Sequence, residues 1–243
     1  MRLFLYLLMN EIKSVFESIG GQFCTPISQL SERLATIKAF VYDWDGVFNN
    51  AVKNENKSSN FNEADSMGTN MLRFSHYLKH QQLPQTAIIS GEKNEFAFYF
   101  SEREHFDACY FKVPNKIIAL DHFCEHHNLK REEVCYTFDD VLDLSVAAVC
   151  GLRMMINRKA NPLFKNYLVK NNLADYITAS ESGNFAVREV SELLMGLNQN
   201  YDSCLDERKD FTSIYRNYLD FRQALNTSFF TIENENVKSV ARP

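Results

Sequence analysis

Two aspartates end a short apolar run early in the chain. The stretch "FVYDWDG" brings Asp43 and Asp45 to one place, with only Trp44 between them. Two carboxylates so close repel each other unless a positive charge lies between them. A magnesium ion would supply that charge, because it prefers oxygen ligands and keeps part of its shell for phosphate. The pair therefore predicts magnesium-assisted chemistry on a phosphoryl group.

Further polar residues follow later β-rich runs. Ser90 and Gly91 come directly after "QTAII", and Lys116 comes after "FKVPN". Three more acids come after "EVCYTF": Asp139, Asp140 and Asp143. With such a set, a carboxylate can attack phosphorus to form an aspartyl-phosphate, while a second acid protonates the leaving oxygen and later activates water. The lysine, the hydroxyl and nearby backbone N–H groups would balance the charge of the transferring group.

The elements that must position these residues alternate along the chain from about residue 37. Six short apolar runs, "IKAFVYD", "QTAIIS", "DACYF", "EVCYTF", "LRMMI" and "DYITA", are each followed by a longer helical segment. Strands that are apolar throughout predict a parallel sheet covered on both faces, which is a doubly wound α/β fold. Ligands in such folds bind beyond the carboxyl ends of the strands. The polar residues above all stand at such ends.

Composition limits the classes of function. The chain has 243 residues, of which 45% are hydrophobic and 23% are charged, as in a globular protein. Its net charge of −5, without a long basic tract, argues against a nucleic-acid partner. The six cysteines form no CxxC pair, which indicates reduced thiols. No stretch reaches the roughly 18 apolar residues of a spanning helix, so we expect no membrane partner and a cytoplasmic protein.

Two segments lie outside the alternating region. Residues 1–34 carry a helical pattern, and so do residues 198–243, where Phe211, Ile214, Tyr215, Tyr218 and Leu225 recur on one face. We therefore predict helical N- and C-terminal extensions around a core of residues 35–197. Either extension would cover the core or meet a neighbouring subunit.

Other sites were weighed against this one. An EF-hand needs glycine at the sixth position of its loop, whereas Gly46 is fourth from Asp43. A receiver domain has its paired acids before the phosphorylated aspartate, which is the reverse of the order here. His76 with His80, and His122 with His126, have the spacing of a helical metal pair, but no HExxH pattern accompanies them. We interpret both pairs as solvated helix faces.

The order of the motifs "DWDGV", "IISG", "VPNK" and "FDDVLD" resembles the haloacid dehalogenase superfamily. The likeness is closest to the small capless branch that contains 3-deoxy-octulosonate 8-phosphate phosphatases and sialic-acid-type 9-phosphate phosphatases. It extends from about residue 35 to 197. The resemblance implies a Rossmann-like core with a small β-hairpin insertion, here "FNNAVKNENKSSNFNEADS". It also implies a homotetramer in which neighbouring subunits complete each active site.

The resemblance also implies a role for each matched residue. Asp43 would be the nucleophile and Asp45 the general acid and base. Magnesium would be held by the Asp43 side chain, the Asp45 backbone carbonyl and the Asp139 side chain, with Asp140 and Asp143 as support. Phosphate would be bound by Ser90, the Gly91 amide and Lys116, and Lys116 would also belong to the catalytic set.

Several positions depart from the pattern of the branch. Phe138 replaces the usual glycine before the fourth motif, and Glu92 stands where arginine is usual. Asn49 and Asn50 replace a common Thr-Asp pair, and Ala64 and Ser66 flank Asp65 where arginine and glycine are typical. The departures concentrate at the expected substrate rim, which we assign to Asp65, Glu92 and Arg158.

The resulting hypothesis is a magnesium-dependent phosphomonoester hydrolase for a small phosphorylated sugar acid, of the 3-deoxy-octulosonate 8-phosphate or sialic-type 9-phosphate class. An alternative is a module that has lost turnover and serves in oligomerisation or regulation, which Glu92 and Phe138 motivate. A third reading is a phosphatase of broad or unrelated specificity, for example for nucleotides.

Overall fold

The predicted strands form the centre of a mixed sheet. The computed structural model describes residues 2–53 and 59–243. The strands are β1 (Gln22–Phe23), β2 (Ala39–Tyr42), β3 (Gln85–Ile89), β4 (Ala108–Phe111), β5 (Val134–Phe138), β6 (Leu152–Asn157), β7 (Tyr176–Glu181), β8 (Ser228–Glu233) and β9 (Asn236–Val240). The helices are α1 (Arg2–Ser18), α2 (Ile27–Leu34), α3 (Glu63–His80), α4 (Glu95–Arg103), α5 (Lys116–His126), α6 (Leu144–Ala147), α7 (Pro162–Lys170), α8 (Ala186–Leu197), α9 (Tyr201–Lys209) and α10 (Ser213–Gln223).

Within the described residues the sheet has the order β1-β7-β6-β5-β2-β3-β4-β8-β9. Strands β2 to β8 pair in parallel, whereas β1 and β9 pair antiparallel at the two edges. The chain moves from β2 to β3 and β4 on one side, and then crosses to β5 on the other side of β2. This reversal opens a crevice at the carboxyl end of β2. The predicted doubly wound α/β fold is confirmed.

Helices cover both faces of the sheet, as the fully apolar strands predict. Helices α3 and α8 pack closely together on one face, above a core that includes Trp44, Phe74 and Leu193. Helices α5, α6 and α7 cover the other face, where Phe123, Val146 and Leu168 are buried. Strands β2, β4 and β5 are buried along their whole length, β3 and β6 along most of it and β7 along half of it, so chemistry is confined to the strand ends.

The C-terminal extension is helical only in part. Helices α9 and α10 agree with the prediction, but the chain then forms the β8–β9 hairpin, which the prediction of a helical extension missed. The sequence "SFFTIENENV" carried the signal: a β-rich run precedes Asn234 and Glu235, both of which adopt positive φ as a tight hairpin turn requires. Strand β8 extends the sheet beyond β4.

Buried polar contacts fasten this extension to the core. The Tyr218 hydroxyl donates to the Asn70 backbone oxygen at 2.8 Å, and Arg222 Nη2 lies 2.5 Å from the buried Glu104 carboxylate. Glu104 also accepts a hydrogen bond from Ser66 at 2.6 Å. The extension thus adds a second counter-charge to Glu104, which Arg103 of the core also approaches at 3.7 Å.

The insertion after the first motif differs from the expected hairpin where it is described. Residues 48–53 and 59–62 contain no strand, and the predicted hairpin tip falls on residues 54–58, outside the described part of the chain. Among the helices that are described, none combines the length and hydropathy that crossing a membrane requires.

Candidate active site

A cavity of about 380 Å³ opens at the carboxyl ends of β2, β3 and β5. Its walls are formed by Asp43, Asp45, Ala51, Lys53, Ser90, Gly91, Glu92, Val113, Pro114, Lys116, Asp139, Asp140, Leu142, Asp143 and Arg158. The predicted catalytic, phosphate-binding, metal-binding and supporting residues all line this one cavity. Parallel strands end at the same edge, so residues far apart in sequence meet there.

A buried lysine links two of the acids. Lys116 Nζ lies 2.5 Å from Asp43 Oδ1 and 2.6 Å from Asp143 Oδ1. The Tyr136 hydroxyl donates to the same Asp143 oxygen at 2.5 Å. Lys116 and Asp143 are almost fully buried, and Asp43 is 6% exposed. This chain of contacts fixes the lysine at the base of the cavity, where it can also face a bound phosphate.

Burial changes the protonation of these groups. Burial and the neighbouring Asp143 raise the pKa of Asp43 to about 7, although Lys116 opposes the shift. Burial works to lower the pKa of Lys116, but the two carboxylates together raise it above its usual value. The lysine therefore stays protonated, and Asp43 needs further positive charge to ionise fully.

One carboxylate oxygen of Asp139 is left without a hydrogen-bond partner in the described part of the chain. Burial, followed by the negative charge of Asp43, raises the pKa of Asp139 to about 9, against the attraction of Arg158. Its Oδ1 is buried and has no hydrogen-bond donor among the described residues. A buried polar atom without a partner is costly, which indicates that a ligand completes this site.

The arrangement fits a hard divalent cation. One carboxylate oxygen from each of Asp43, Asp139 and Asp143 lies within 4.8 Å of the others. Oxygen donors in such a cluster are those that Mg²⁺ prefers. Both oxygens of Asp143 already accept hydrogen bonds, Oδ1 from Lys116 and Tyr136 and Oδ2 from the Asp140 amide, so Asp43 and Asp139 are the better candidates for direct ligands.

Asp45 lies at the more open side of the cavity. Its Oδ2 forms an ion pair with Lys53 Nζ at 2.6 Å, while its Oδ1 is buried without a donor in the described part of the chain. The Lys53 side chain is 53% exposed, so Asp45 sits between the buried acids and the solvent. This is a suitable position for a group that exchanges protons with a leaving oxygen or with water.

The loop that carries both aspartates is closed by local contacts. Gly46 has φ +94°, a conformation that L side chains rarely adopt. The Asn49 side chain accepts hydrogen bonds from the Gly46 and Ala51 amides and donates to the Trp44 carbonyl. Asn49, which departs from the family pattern, therefore shapes the loop rather than contacting a ligand.

The predicted phosphate-binding residues lie across the cavity from this loop. Ser90 is 2% exposed, and its hydroxyl accepts a hydrogen bond from the Glu92 amide at 3.2 Å. Gly91 follows it at the cavity wall, where a side chain would meet only the Val113 carbonyl. A hydroxyl, a backbone amide and the Lys116 ammonium thus converge on one space.

The three residues predicted to form the substrate rim do not all lie at the cavity. Glu92 and Arg158 line the cavity, but Asp65 does not. Asp65 is fully buried at the start of α3, where its carboxylate accepts hydrogen bonds from the Arg188 amide and the Asn62 side chain. The prediction was wrong because motif spacing cannot tell which side of a helix start faces the site. Asp65 joins α3 to α8.

Three further residues named above are buried. Trp44 is fully buried and stacks on Phe48 beneath the site. Phe138 is buried in the core beside Tyr136 and does not line the cavity. His76 is only 4% exposed, so its interpretation as part of a solvated helix face was wrong.

Two contributors to the site were missed from the sequence. Lys53 lies in an irregular loop, whose course cannot be inferred from periodicity. Tyr136 lies two residues before Phe138 in β5, and its hydroxyl reaches Asp143. Its position in the strand does not identify Asp143 as the partner. A tyrosine in an otherwise apolar central strand was the available signal, because a buried hydroxyl needs a partner.

Comparison with known proteins gives one consistent family. The chain is 29% identical over 163 residues to the 3-deoxy-D-manno-octulosonate 8-phosphate phosphatase KdsC of Escherichia coli K12, covering 65% of this chain and 79% of the relative. It is 28% identical over 184 residues to KdsC of Salmonella typhi, covering 72% and 90%. No family model matches the chain.

Solved structures share the fold. The crystal structure of a probable YrbI-family phosphatase from Pseudomonas syringae has a TM-score of 0.62 and 28% identity, covering 74% of this chain and 96% of that one. The 3-deoxy-D-manno-octulosonate 8-phosphate phosphatase of Moraxella catarrhalis, solved with magnesium, phosphate and KDO, has a TM-score of 0.61 and 21% identity, covering 74% and 98%. With the strand order and the order of the site residues, these likenesses show that the chain is similar in sequence to KdsC phosphatases and shares the fold of the solved structures.

Proposed function

We propose that the protein is a magnesium-dependent phosphomonoester hydrolase acting on a small phosphorylated sugar acid. The observation that carries this proposal is the convergence of Asp43, Asp45, Lys116 and Asp139 with Ser90 in one cavity at the strand ends. Its curated relatives at 28–29% identity are 3-deoxy-D-manno-octulosonate 8-phosphate phosphatases, and they align over most of the core.

The metal would be held by the carboxylates of Asp43 and Asp139 and by the Asp45 backbone carbonyl, with Asp140 and Asp143 in support. When bound, Mg²⁺ would neutralise part of the negative charge of the acids and of the phosphoryl group. The unpartnered Oδ1 of Asp139 supports this assignment.

In the first half of the reaction, Asp43 attacks phosphorus and the bond to the leaving oxygen breaks, so that an aspartyl-phosphate forms. Asp45 gives its proton to the leaving oxygen, which departs as an alcohol. Lys116 holds Asp43 in place and offers its charge to the phosphoryl oxygens, together with the Ser90 hydroxyl and the Gly91 amide.

In the second half, Asp45 accepts a proton from water as the water oxygen attacks the same phosphorus. The bond from phosphorus to Asp43 breaks, which releases inorganic phosphate and restores the carboxylate. Asp45 ends the cycle protonated, as it began. Its position between the buried acids and the solvent suits both proton transfers.

The substrate class rests on the relatives and on the charges at the rim. Lys53 and Arg158 bring positive charge to the cavity wall, and the Lys53 side chain, which is 53% exposed, can face the carboxylate of a sugar acid. Glu92 brings an opposing negative charge, which would disfavour that carboxylate. We therefore expect Glu92→Gln to raise kcat/KM for an acidic sugar phosphate more than for a neutral one.

The alternative of a module without turnover is weakened by the position of Phe138. Its bulk lies in the core and leaves the cavity open. Glu92 remains the departure that favours this alternative, because it introduces negative charge where the family has arginine.

The test is phosphate release with and without Mg²⁺, over 3-deoxy-octulosonate 8-phosphate, sialic-type 9-phosphates, common sugar phosphates and nucleotides. Wild type is compared with Asp43→Asn and with Asp206→Asn, which makes the same chemical change at an exposed position. We expect metal-dependent turnover that Asp43→Asn abolishes and Asp206→Asn retains.

Failure has a clear meaning in this design. A folded wild type that hydrolyses nothing on the panel contradicts the proposal and favours the module without turnover. Turnover confined to nucleotides or spread over all esters would retain the mechanism and reject the sugar-acid substrate.

We also propose a homotetramer, because the resemblance implies one. Light scattering of the purified protein should then give about four chain masses of 28.2 kDa each. A monomer would contradict the tetramer and, with it, an active site that neighbouring subunits complete.

A further inference from the structure

Arg158 holds one oxygen of Asp139 from the side of the cavity. Arg158 directly follows β6, next to the end of β5 where Asp139 stands. Its Nη2 contacts Asp139 Oδ2, and its Nη1 lies 3.7 Å from Asp140 Oδ2. The Arg158 side chain is 29% exposed, whereas that of Asp139 is 2% exposed. The guanidinium therefore covers the acid on the solvent side.

The other oxygen of Asp139 is left free. Oδ1 is buried and has no donor among the described residues, and the carboxylate belongs to the cluster with Asp43 and Asp143. A carboxylate group is rigid, so holding Oδ2 fixes the direction in which Oδ1 points. The arrangement leaves one oxygen oriented by the protein and the other available to a cation.

Gly46 makes room for this pair. A Cβ at Gly46 would overlap both Asp139 Oδ2 and Arg158 Nη2. The ion pair between Arg158 and Asp139 thus packs directly against the backbone of the loop that carries Asp43 and Asp45. The contact joins the ends of β2, β5 and β6, and it ties the orientation of Asp139 to the position of the other acids.

We propose that Arg158 is a positioning residue for the metal site, which orients Asp139 for cation binding, rather than a contact for the substrate. This inference rests on the proposed function, because it takes Asp139 as a magnesium ligand. Groups that hydrogen-bond to metal ligands orient them, and their loss typically weakens metal affinity by about 10- to 100-fold. Charge alone would act in the opposite direction, since removing a cation beside the site favours Mg²⁺.

The test measures Mg²⁺ binding to the metal-free full-length protein by isothermal titration calorimetry. Arg158→Met and Arg158→Gln both remove the charge and have similar lengths, but only Gln keeps an N–H that can donate to Asp139. We expect Arg158→Met to raise the Kd for Mg²⁺ about 10-fold and Arg158→Gln to recover most of that loss. Lys159→Met is the charge-matched control, because Lys159 is adjacent and 86% exposed.

The outcomes separate the two proposals. Equal affinities in the Met and Gln variants, or tighter binding in both, would overturn the positioning role, because charge would then dominate. A wild type that binds no Mg²⁺ would instead overturn the metal assignment of the proposed function. If Arg158→Met does not fold, Arg158→Gln is compared with Arg158→Lys, which keeps both the charge and an N–H donor. Positioning predicts that both variants keep most of the affinity for Mg²⁺, whereas tighter binding by Arg158→Gln alone, as charge removal predicts, overturns it.

Discussion

Asp175 and Asp139 are both buried acids of this fold, yet their surroundings differ in kind. Asp175 accepts hydrogen bonds from Thr25, Arg33 and the Arg153 side chain and amide, so that both of its oxygens are occupied. Asp139 has Arg158 on one oxygen and, within the described residues, no donor on the other. In the described residues, the protein thus provides hydrogen-bond donors for both oxygens of Asp175 but for only one oxygen of Asp139.

The difference separates structural acids from candidate functional ones. A buried carboxylate that is fully paired fixes neighbouring elements, here β1, α2, β6 and the start of β7 around Asp175. A buried carboxylate with a free oxygen is unfavourable in the protein alone and becomes favourable when a cation binds. Four experiments test whether this distinction holds.

The largest effect is expected from Asp139→Asn. Loss of a metal-binding carboxylate should lower Mg²⁺-dependent phosphate release by about 10³-fold. Metal-free stability should be unchanged or higher, because the substitution removes a negative charge from a buried acidic cluster. Phosphate release and urea unfolding in EDTA measure the two quantities. Marked destabilisation without metal would mean that Asp139 is a structural acid like Asp175.

Asp175→Asn should show the opposite pattern. Breaking a buried ion pair by removing one partner costs about 3–5 kcal/mol of unfolding free energy. Asp121→Asn is a matched control, because Asp121 pairs with Arg131 at 2.7 Å on the surface and should cost less than about 1 kcal/mol. Urea unfolding compares the two variants. If they lose equal stability, pairing in the interior is not what distinguishes Asp175.

Mg²⁺ itself should stabilise the fold. A ligand at 100 times its Kd adds about 2.7 kcal/mol to the unfolding free energy when it binds only the folded state. Thermal unfolding with MgCl₂ and with EDTA should therefore differ for the wild type and agree for Asp139→Asn. Equal Tm values for the wild type in both conditions would contradict the inference that the free oxygen of Asp139 binds a cation.

His76 provides a smaller effect from a buried base. Burial lowers the pKa of His76 to about 3, followed by the effects of His80 and Lys79. Between about pH 6.5 and 3 the unfolded chain binds a proton that the folded chain does not, so stability falls as pH falls through this window. Between pH 7 and pH 5, the unfolding free energy of His76→Phe should fall by about 2 kcal/mol less than that of the wild type. Parallel pH dependence of urea unfolding in both proteins would contradict this.

The central fold and most of the site were predictable from sequence because both depend on short-range patterns. Fully apolar runs such as "FVY" before Asp43 mark buried parallel strands, and parallel strands deliver their next residues to one edge. That logic brought Asp43, Ser90, Lys116 and Asp139 together without any knowledge of contacts.

The remaining features depend on tertiary contacts. Asp65 was misassigned because its side chain faces α8, which is distant in sequence. Lys53 was missed because its loop has no periodic pattern, and the ion pair of Arg158 with Asp139 could not be predicted because it joins the ends of two strands. Such pairs form only once the sheet order is fixed.

The hairpin of β8 and β9 covers the edge of β4, which the core alone would leave unpaired. In the register of β8 on β4, Ala108 stands opposite Ser228, so an edge made early in the chain stays open until a distant segment arrives. Open strand edges template pairing between molecules, and long-range pairing is slow to form. We therefore expect the edge of β4 to be open to pairing between molecules during synthesis and refolding, until Phe229 and Phe230, which are buried in the folded chain, reach the sheet.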